Sequence, residues 1–218
     1  MSEIAAVLWD MDGTLVDTEP YWIECEFALV EEFGGTWTAD DAYSLIGFDL
    51  LDAAAELRTR GGVRLEPRDI VERLLDGVIT RVAESLPWRP GAKALLAECQ
   101  AAAVPCALVT MSWRRLADAA IAAAPDGSFT TSVTGDEVAR GKPHPDPYLA
   151  AAAALGVAPE RCVAIEDSPT GVASALAAGC ATLGVPHVVP LESATGLTIV
   201  DSLVGIELGQ LERLDRPA

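Results

Sequence analysis

The stretch IAAVLWDMDGTLVDTEP, residues 4–20, decides the fold. An apolar run rises to Trp9 and delivers Asp10 and Asp12, one residue apart. Side chains alternate along a strand, so positions i and i+2 point the same way. Like charges that close repel unless a cation or a protein base stands between them. A buried strand that ends in two carboxylates and turns through Gly13 therefore requires a bound cation or a basic group from elsewhere in the chain.

At 218 residues, 50% of them apolar, the chain can bury the core of one large domain or of a domain carrying an insertion. A formal charge of −18 argues against a nucleic-acid partner, because a phosphate backbone needs a basic face. Small anionic substrates stay compatible, since a metal ion and one lysine invert the field locally. Cys25, Cys99, Cys106, Cys162 and Cys180 are odd in number and contain no CxxC, so they read as reduced core residues. With no signal peptide and no run of membrane-spanning length, the expectation is a cytoplasmic monomer that meets a small metabolite and neither nucleic acid nor membrane.

Strand and helix patterns alternate through most of the chain, which predicts an α/β fold with a parallel sheet. IAAVLW is the first strand; Thr18 is the expected cap of a helix whose buried stripe is Ile23, Phe27 and Val30, stopped by Gly34 and Gly35. From there to about residue 86 only helical periods occur, including Val71, Leu75, Val78 and Val82. The prediction is a Rossmann-like core over 1–15 and 87–218 with an inserted all-helical cap over 16–86. Later elements are helix 91–103, strand VPCALVT, helix 113–123, a short strand in SFTTSV, a helix capped by Asp146, strand CVAIED, a helix from Pro169 to Gly179 and strand CATLGV. LTIVDSLVGI reads as a strand followed by a helix start.

Ligands of an open parallel sheet bind beyond the carboxyl ends of its strands. Those ends carry Asp10 and Asp12, then Thr110 with Met111 and Ser112, then Glu166 and Asp167, while RGKPHPDPY places Lys142 in a Gly/Pro loop. Each has an ordinary explanation: an Asp-Gly turn, a helix cap at Asp167–Ser168, an exposed loop lysine, a satisfied strand-end hydroxyl. Their joint occurrence, in this order and at strand ends, decides against coincidence. Carboxylate oxygens are hard ligands, and Mg²⁺ takes one or two of them together with phosphate and water. An aspartate beside such an ion can attack phosphorus, while Thr110, the following amides and Lys142 hold the phosphoryl oxygens. His144 reads as a loop residue rather than a ligand or base, since the only other histidine, His187, lies in a separate loop.

These residues resemble the haloacid dehalogenase superfamily. DMDGTLVDTE is similar to its first motif, VTMS to its hydroxyl motif, GKPHPDPY to its lysine motif and IEDSPTGVASALAAG to its acidic motif, over about residues 4–185. The resemblance implies that Asp10 is the nucleophile and Asp12 the general acid and base. It implies Mg²⁺ held by Asp10, the Asp12 carbonyl and Asp167, with Glu166 behind them, and phosphate held by Thr110, Met111 and Lys142. It also implies a cap that closes over the site, and the two chain crossings place the hinges near Leu15–Thr18 and Leu86–Pro90. Met111 departs from the family's small polar residue, and Trp9 from its Phe. Asp12 argues against dehalogenation, and the absence of lysine from residues 16–86 excludes phosphonate cleavage through a Schiff base.

The activity implied is Mg²⁺-dependent hydrolysis of a small phosphate monoester, such as a sugar phosphate, through an aspartyl-phosphate. The enzymatic alternative is a mutase like β-phosphoglucomutase. The non-enzymatic ones are a phospho-aspartate receiver, about half this length, or a silent binding relative. Mutases of the family hold a second phosphate with a histidine and an arginine where this chain has Trp22 and Leu50, and Asp49 beside them would repel it. Trp22 and Leu50 instead suggest a substrate with an apolar or ring-like portion.

Overall fold

The computed structural model describes residues 4–46, 48 and 50–217. The chain runs β1 (Ala6–Trp9), α1 (Glu19–Glu32), α2 (Ala39–Tyr43), α3 (Leu50–Thr59), α4 (Pro67–Glu84), α5 (Ala92–Ala101), β2 (Cys106–Val109) and α6 (Arg114–Ala123). It continues through β3 (Thr131–Val133), α7 (Asp146–Leu155), β4 (Cys162–Glu166), α8 (Pro169–Ala177), β5 (Ala181–Gly184), β6 (Leu197–Ile199) and α9 (Leu208–Leu211). It divides into two compact units, one built from the segments up to Asp17 and from Pro87 onward, the other from Thr18–Leu86.

The first unit is the Rossmann-like α/β fold expected. Its strands form one parallel sheet in the order β3-β2-β1-β4-β5-β6. Every residue of β1, β2, β4 and β5 is buried, as continuous apolar strands covered by helices must be. The edge strands β3 and β6 are only partly covered. One face of the sheet (Ala6, Leu8, Ala107, Val109, Ala164) clusters with Tyr148, Ala151 and Ala152 of α7 and with Ala175 of α8. Alanines at these contacts let the helices lie close to the strands.

Register sets the edge where the polar residues emerge. Trp9 lies opposite Leu108 and Ile165. One residue on, the Asp10 amide donates to the Ile165 carbonyl at 3.0 Å, and the Thr110 amide donates to that of Val133 at 3.0 Å. Asp10, Thr110 and Glu166 therefore leave the central strands at one carboxyl edge, where the chain leaving β1 turns toward β2 and the chain leaving β4 turns the other way, toward β5.

Local details differ from the sequence reading. Thr18 stands at the N-cap of α1, but in αR geometry, with no side-chain capping bond. The buried stripe of α1 is Cys25, Glu26, Leu29 and Val30, while Phe27 is exposed and Ile23 half-buried. The N-cap of α7 is Pro145; Asp146 is its first residue, and its carboxylate pairs with Arg140 and His144. The final helix starts only at Leu208, through a reciprocal Glu207–Gln210 cap.

The second unit is all-helical, with α4 packed on α1 and α3 through Ile70, Val71, Leu74, Leu75, Val78 and Val82. Gly47 and Asp49 lie outside the described residues, so the expected repulsion by Asp49 has no structural counterpart here. Glu26 is buried in this unit and accepts a hydrogen bond from Trp37 Nε1 at 3.2 Å. Arg60 lies over the Trp37 ring at 5.3 Å and pairs with Asp41, the N3 residue of the capping box at the start of α2. Burial pushes the Glu26 carboxyl up to about 7, against the Trp37 bond and helped by the charge of Glu19.

That shift has a definite sign. Below the unfolded pKa the group is neutral in both states, and between about 4.5 and 7 only the unfolded chain loses its proton, so stability falls as pH rises. Above that window the penalty is constant, on the order of 3 kcal/mol. Glu26→Gln is expected to match the wild type near the lower end of the window and to exceed it in thermal stability at alkaline pH. Equal pH slopes for the two proteins in thermal denaturation would show that Glu26 is not the group responsible.

Candidate active site

Lys142 is the hub of the carboxyl edge. Its loop precedes α7 and returns the side chain across β2, where Nζ donates to Asp10 Oδ1 at 2.7 Å, to Glu166 Oε1 at 2.6 Å and to the Val109 carbonyl at 2.9 Å. The ammonium is 5% exposed. Burial alone would push it toward neutrality, but the charges of Asp10 and Glu166 and the bonds to both outweigh that and hold its pKa above the ordinary lysine value. Met111 anchors the same loop, its Sδ accepting the Lys142 amide at 3.2 Å.

Glu166, the last residue of β4, is wholly buried. Besides Lys142, its Oε1 accepts from the Tyr148 hydroxyl at 2.6 Å, and its Oε2 from Ser168 at 3.3 Å. Ser168 also caps α8 by accepting the Gly171 amide at 3.1 Å. A Cβ at Gly171 would overlap the Glu166 carboxylate, so glycine is required for this approach. Burial, then the charge of Asp10, raises the Glu166 pKa against the pull of Lys142. The Tyr148 hydroxyl is likewise raised, first by burial and then by Glu166.

Asp12 and Asp167 border this pair. Asp12 Oδ2 accepts from Ser112 Oγ at 2.7 Å and from Thr110 Oγ1 at 3.3 Å, while the Ser112 amide donates to Thr110 Oγ1 at 3.0 Å. Asp167 accepts from buried Thr14 at 3.4 Å and lies against Gly13, whose φ of 88° and lack of a Cβ both matter, since a Cβ would overlap Asp167 Oδ2. Burial, then the charges of Asp10 and Glu166, pushes Asp167 up to about 8.

The donor set fits a hard cation. Asp10, Glu166 and Asp167 each bring an oxygen within 4.8 Å of the others. Among the described residues Asp10 Oδ2 is buried and has no hydrogen-bond partner. Three carboxylates against the single Lys142 ammonium leave negative charge uncompensated, and oxygen ligands favour a hard divalent ion. Glu166 is already held by three side chains, whereas Asp10 Oδ2 has none among the described residues.

The structure thus gathers Asp10, Asp12, Thr110, Lys142, Glu166 and Asp167 at one sheet edge, with Met111 turned to the lysine loop. Sequence reasoning gave no role to Ser112, Tyr148, Thr14 or Gly171. Tyr148 was visible as the residue after Asp146–Pro147, where the first turn of a sheet-covering helix points inward. His144 Nδ1 lies 2.9 Å from the Asp146 carboxylate and His187 Nε2 3.3 Å from that of Asp17.

A model of the haloacid dehalogenase-like hydrolases matches residues 4–179. The chain belongs to that family. Within it, the chain is a hydrolase of the branch that holds phosphatases and β-phosphoglucomutase-like enzymes. It is 35% identical over 190 residues to hexitol phosphatase A of Escherichia coli, covering 82% of this chain and 81% of that one. It is 30% identical to a phosphorylated carbohydrates phosphatase of Thermotoga maritima, covering 84% and 85%. The crystal structure of CbbY from Rhodobacter sphaeroides in complex with phosphate superposes with a TM-score of 0.84 at 29% identity, covering 96% of this chain and 99% of that one. Among the described residues no helix is long and apolar enough to cross a membrane.

Tyr148→Phe removes one of three side-chain donors to the buried Glu166 carboxylate. It is expected to cost about 1–3 kcal/mol in denaturant unfolding. Unchanged stability would mean that the Tyr148 hydroxyl does not support Glu166.

Proposed function

We propose that the chain is a Mg²⁺-dependent phosphatase that hydrolyses a phosphorylated carbohydrate through an aspartyl-phosphate on Asp10. The observation that carries this reading is the state of Asp10, with one oxygen bonded to Lys142 and the other buried without a partner beside Asp167. The names of the relatives, a hexitol phosphatase and a phosphorylated carbohydrates phosphatase, support the substrate class.

In this reading Asp10 attacks phosphorus, and the bond from phosphorus to the sugar oxygen breaks. Asp12 gives its proton to that oxygen as it leaves. Asp12 then takes a proton from water as the water attacks the phosphorylated Asp10; phosphate departs, and the Asp10 carboxylate is restored. Thr110 and Lys142, whose Nζ proton on Asp10 Oδ1 turns to the phosphoryl group, hold the equatorial oxygens, where charge gathers in the transition state. Glu166 fixes the Lys142 ammonium from behind. Asp10 and Asp167, with the Asp12 carbonyl, would hold Mg²⁺, which when bound screens the repulsion between carboxylates and phosphate.

Asp10→Asn is expected to lower kcat on a hexitol or sugar phosphate by several orders of magnitude with the fold intact by circular dichroism. Activity within about tenfold of wild type would remove Asp10 as nucleophile. Asp167→Ala is expected to raise the Mg²⁺ concentration for half-maximal rate, and Ca²⁺ to inhibit, because its looser coordination misplaces the attacking carboxylate. Turnover with Ca²⁺ equal to that with Mg²⁺ would overturn the metal assignment. With β-glucose 1-phosphate and a trace of the bisphosphate, glucose 6-phosphate appearing faster than free phosphate would replace hydrolysis by the mutase reading.

A further inference from the structure

Two hydroxyls converge on one carboxylate oxygen at this edge, and a hydroxyl has only one proton to donate. Thr110 Oγ1 lies 3.3 Å from Asp12 Oδ2 and Ser112 Oγ lies 2.7 Å from the same atom, so the closer bond is the serine's. Thr110 already accepts the Ser112 amide at 3.0 Å, which fixes where its own hydroxyl proton can point. Once a phosphoryl group occupies the edge, that proton has a doubly or singly charged oxygen to serve. It can reach the phosphate only by leaving Asp12.

We propose that Ser112 is the positioning residue for the general acid, its hydroxyl holding the Asp12 carboxylate in place while Thr110 turns to the phosphate. This rests on the reading of Asp12 given above and adds to it a division of labour between two neighbouring hydroxyls. The local chain explains how both jobs are done at once. Thr110 and Ser112 flank Met111 between the end of β2 and the start of α6, and the Met111 side chain is turned to the Lys142 loop. The main-chain N–H of Ser112 serves Thr110, and its side chain serves Asp12. The rotation of the Asp12 carboxylate about its own side-chain bonds is thereby tied to β2, a buried strand, rather than left to the Gly13 turn. A general acid held in this way gives its proton along a fixed line, and misplacement by about 1 Å in such a group can cost on the order of 100-fold.

The chemistry separates this role from a structural one. A sugar or hexitol oxygen leaves as an alkoxide and needs the proton of Asp12, whereas p-nitrophenolate is a stable anion and leaves without it. Ser112→Ala deletes the hydroxyl and keeps the main-chain N–H on Thr110, so the grip on phosphate is retained. The expected result is a fall in kcat/KM for the hexitol phosphate of roughly 10- to 100-fold, carried by kcat, with KM within a few-fold. The fall for p-nitrophenyl phosphate should be at least about tenfold smaller. Ser112→Thr, which restores a hydroxyl, should recover most of the loss.

Asp12→Ala is measured alongside. If it spares the hexitol phosphate reaction, Asp12 is not the acid, and the role of Ser112 falls with it. If Asp12→Ala is inactive on that ester but Ser112→Ala is as active as wild type, or loses equally on both esters, or loses through KM, then Asp12 stands and Ser112 is not its positioning residue. Should the aryl ester fail to turn over, the kcat-against-KM split and the threonine rescue on the hexitol phosphate decide the same question.

Discussion

A buried ammonium between two buried carboxylates is the constraint around which the carboxyl edge of the sheet is organised. Removing Lys142, Asp10 and Glu166 from water is costly for each ion, and the cost is met only when the geometry is close and every remaining donor and acceptor finds a partner. The three Nζ bonds of Lys142 use all of its protons: one to the end of β1, one to the end of β4 and one to a carbonyl of β2. A single side chain therefore ties three strand ends together at one point. The parallel sheet makes this feasible, because β1 lies between β2 and β4 and presents all three carboxyl ends at one level.

The residues behind the triad serve that geometry. Tyr148 and Ser168 satisfy the Glu166 oxygens, so that Glu166 can stay charged in a place where burial opposes it. Gly171 clears the space for the carboxylate, and the cap of α8 shares a hydroxyl with it, coupling a helix terminus to the ion pair. Met111 supplies the lysine loop with an acceptor that is also apolar, which suits a loop whose backbone must approach β2 closely. Changing one such residue alters the position of the ammonium rather than a single contact.

The central strands and the polar residues at their ends were legible because both signals are local. Continuous apolar runs mark strands buried on both faces, and the residue after each run must emerge at the carboxyl edge. Elements that depend on a buried polar group were not legible. The stripe of α1 was assigned to Ile23, Phe27 and Val30 from hydrophobicity, yet the helix turns Glu26 inward because Trp37, distant in sequence, offers it a donor. Asp146 carries the composition of a cap, but Arg140 and His144 take its carboxylate, and the preceding proline holds the N-cap position. Ser112 shared the turn with Thr110 and Met111, and nothing in the spacing says which of two hydroxyls faces a carboxylate arriving from β1.

The same arithmetic of charge explains why a strongly acidic protein suits an anionic substrate. Most of its carboxylates face water, where they are screened within about 10 Å at moderate ionic strength. The groups at the sheet edge are buried and screened far less, so the local field is set by Lys142, by the neighbouring carboxylates and by any cation they hold. The lysine pairs with Asp10 and Glu166, and the elevation of Asp167, caused first by burial, also reflects the charges of those two carboxylates. An anion arriving alone would add to that repulsion. In the proposed reading, an anion arriving where a divalent cation joins Asp10 and Asp167 would relieve it, and the uncompensated carboxylates would then be a condition for phosphate binding rather than an obstacle to it.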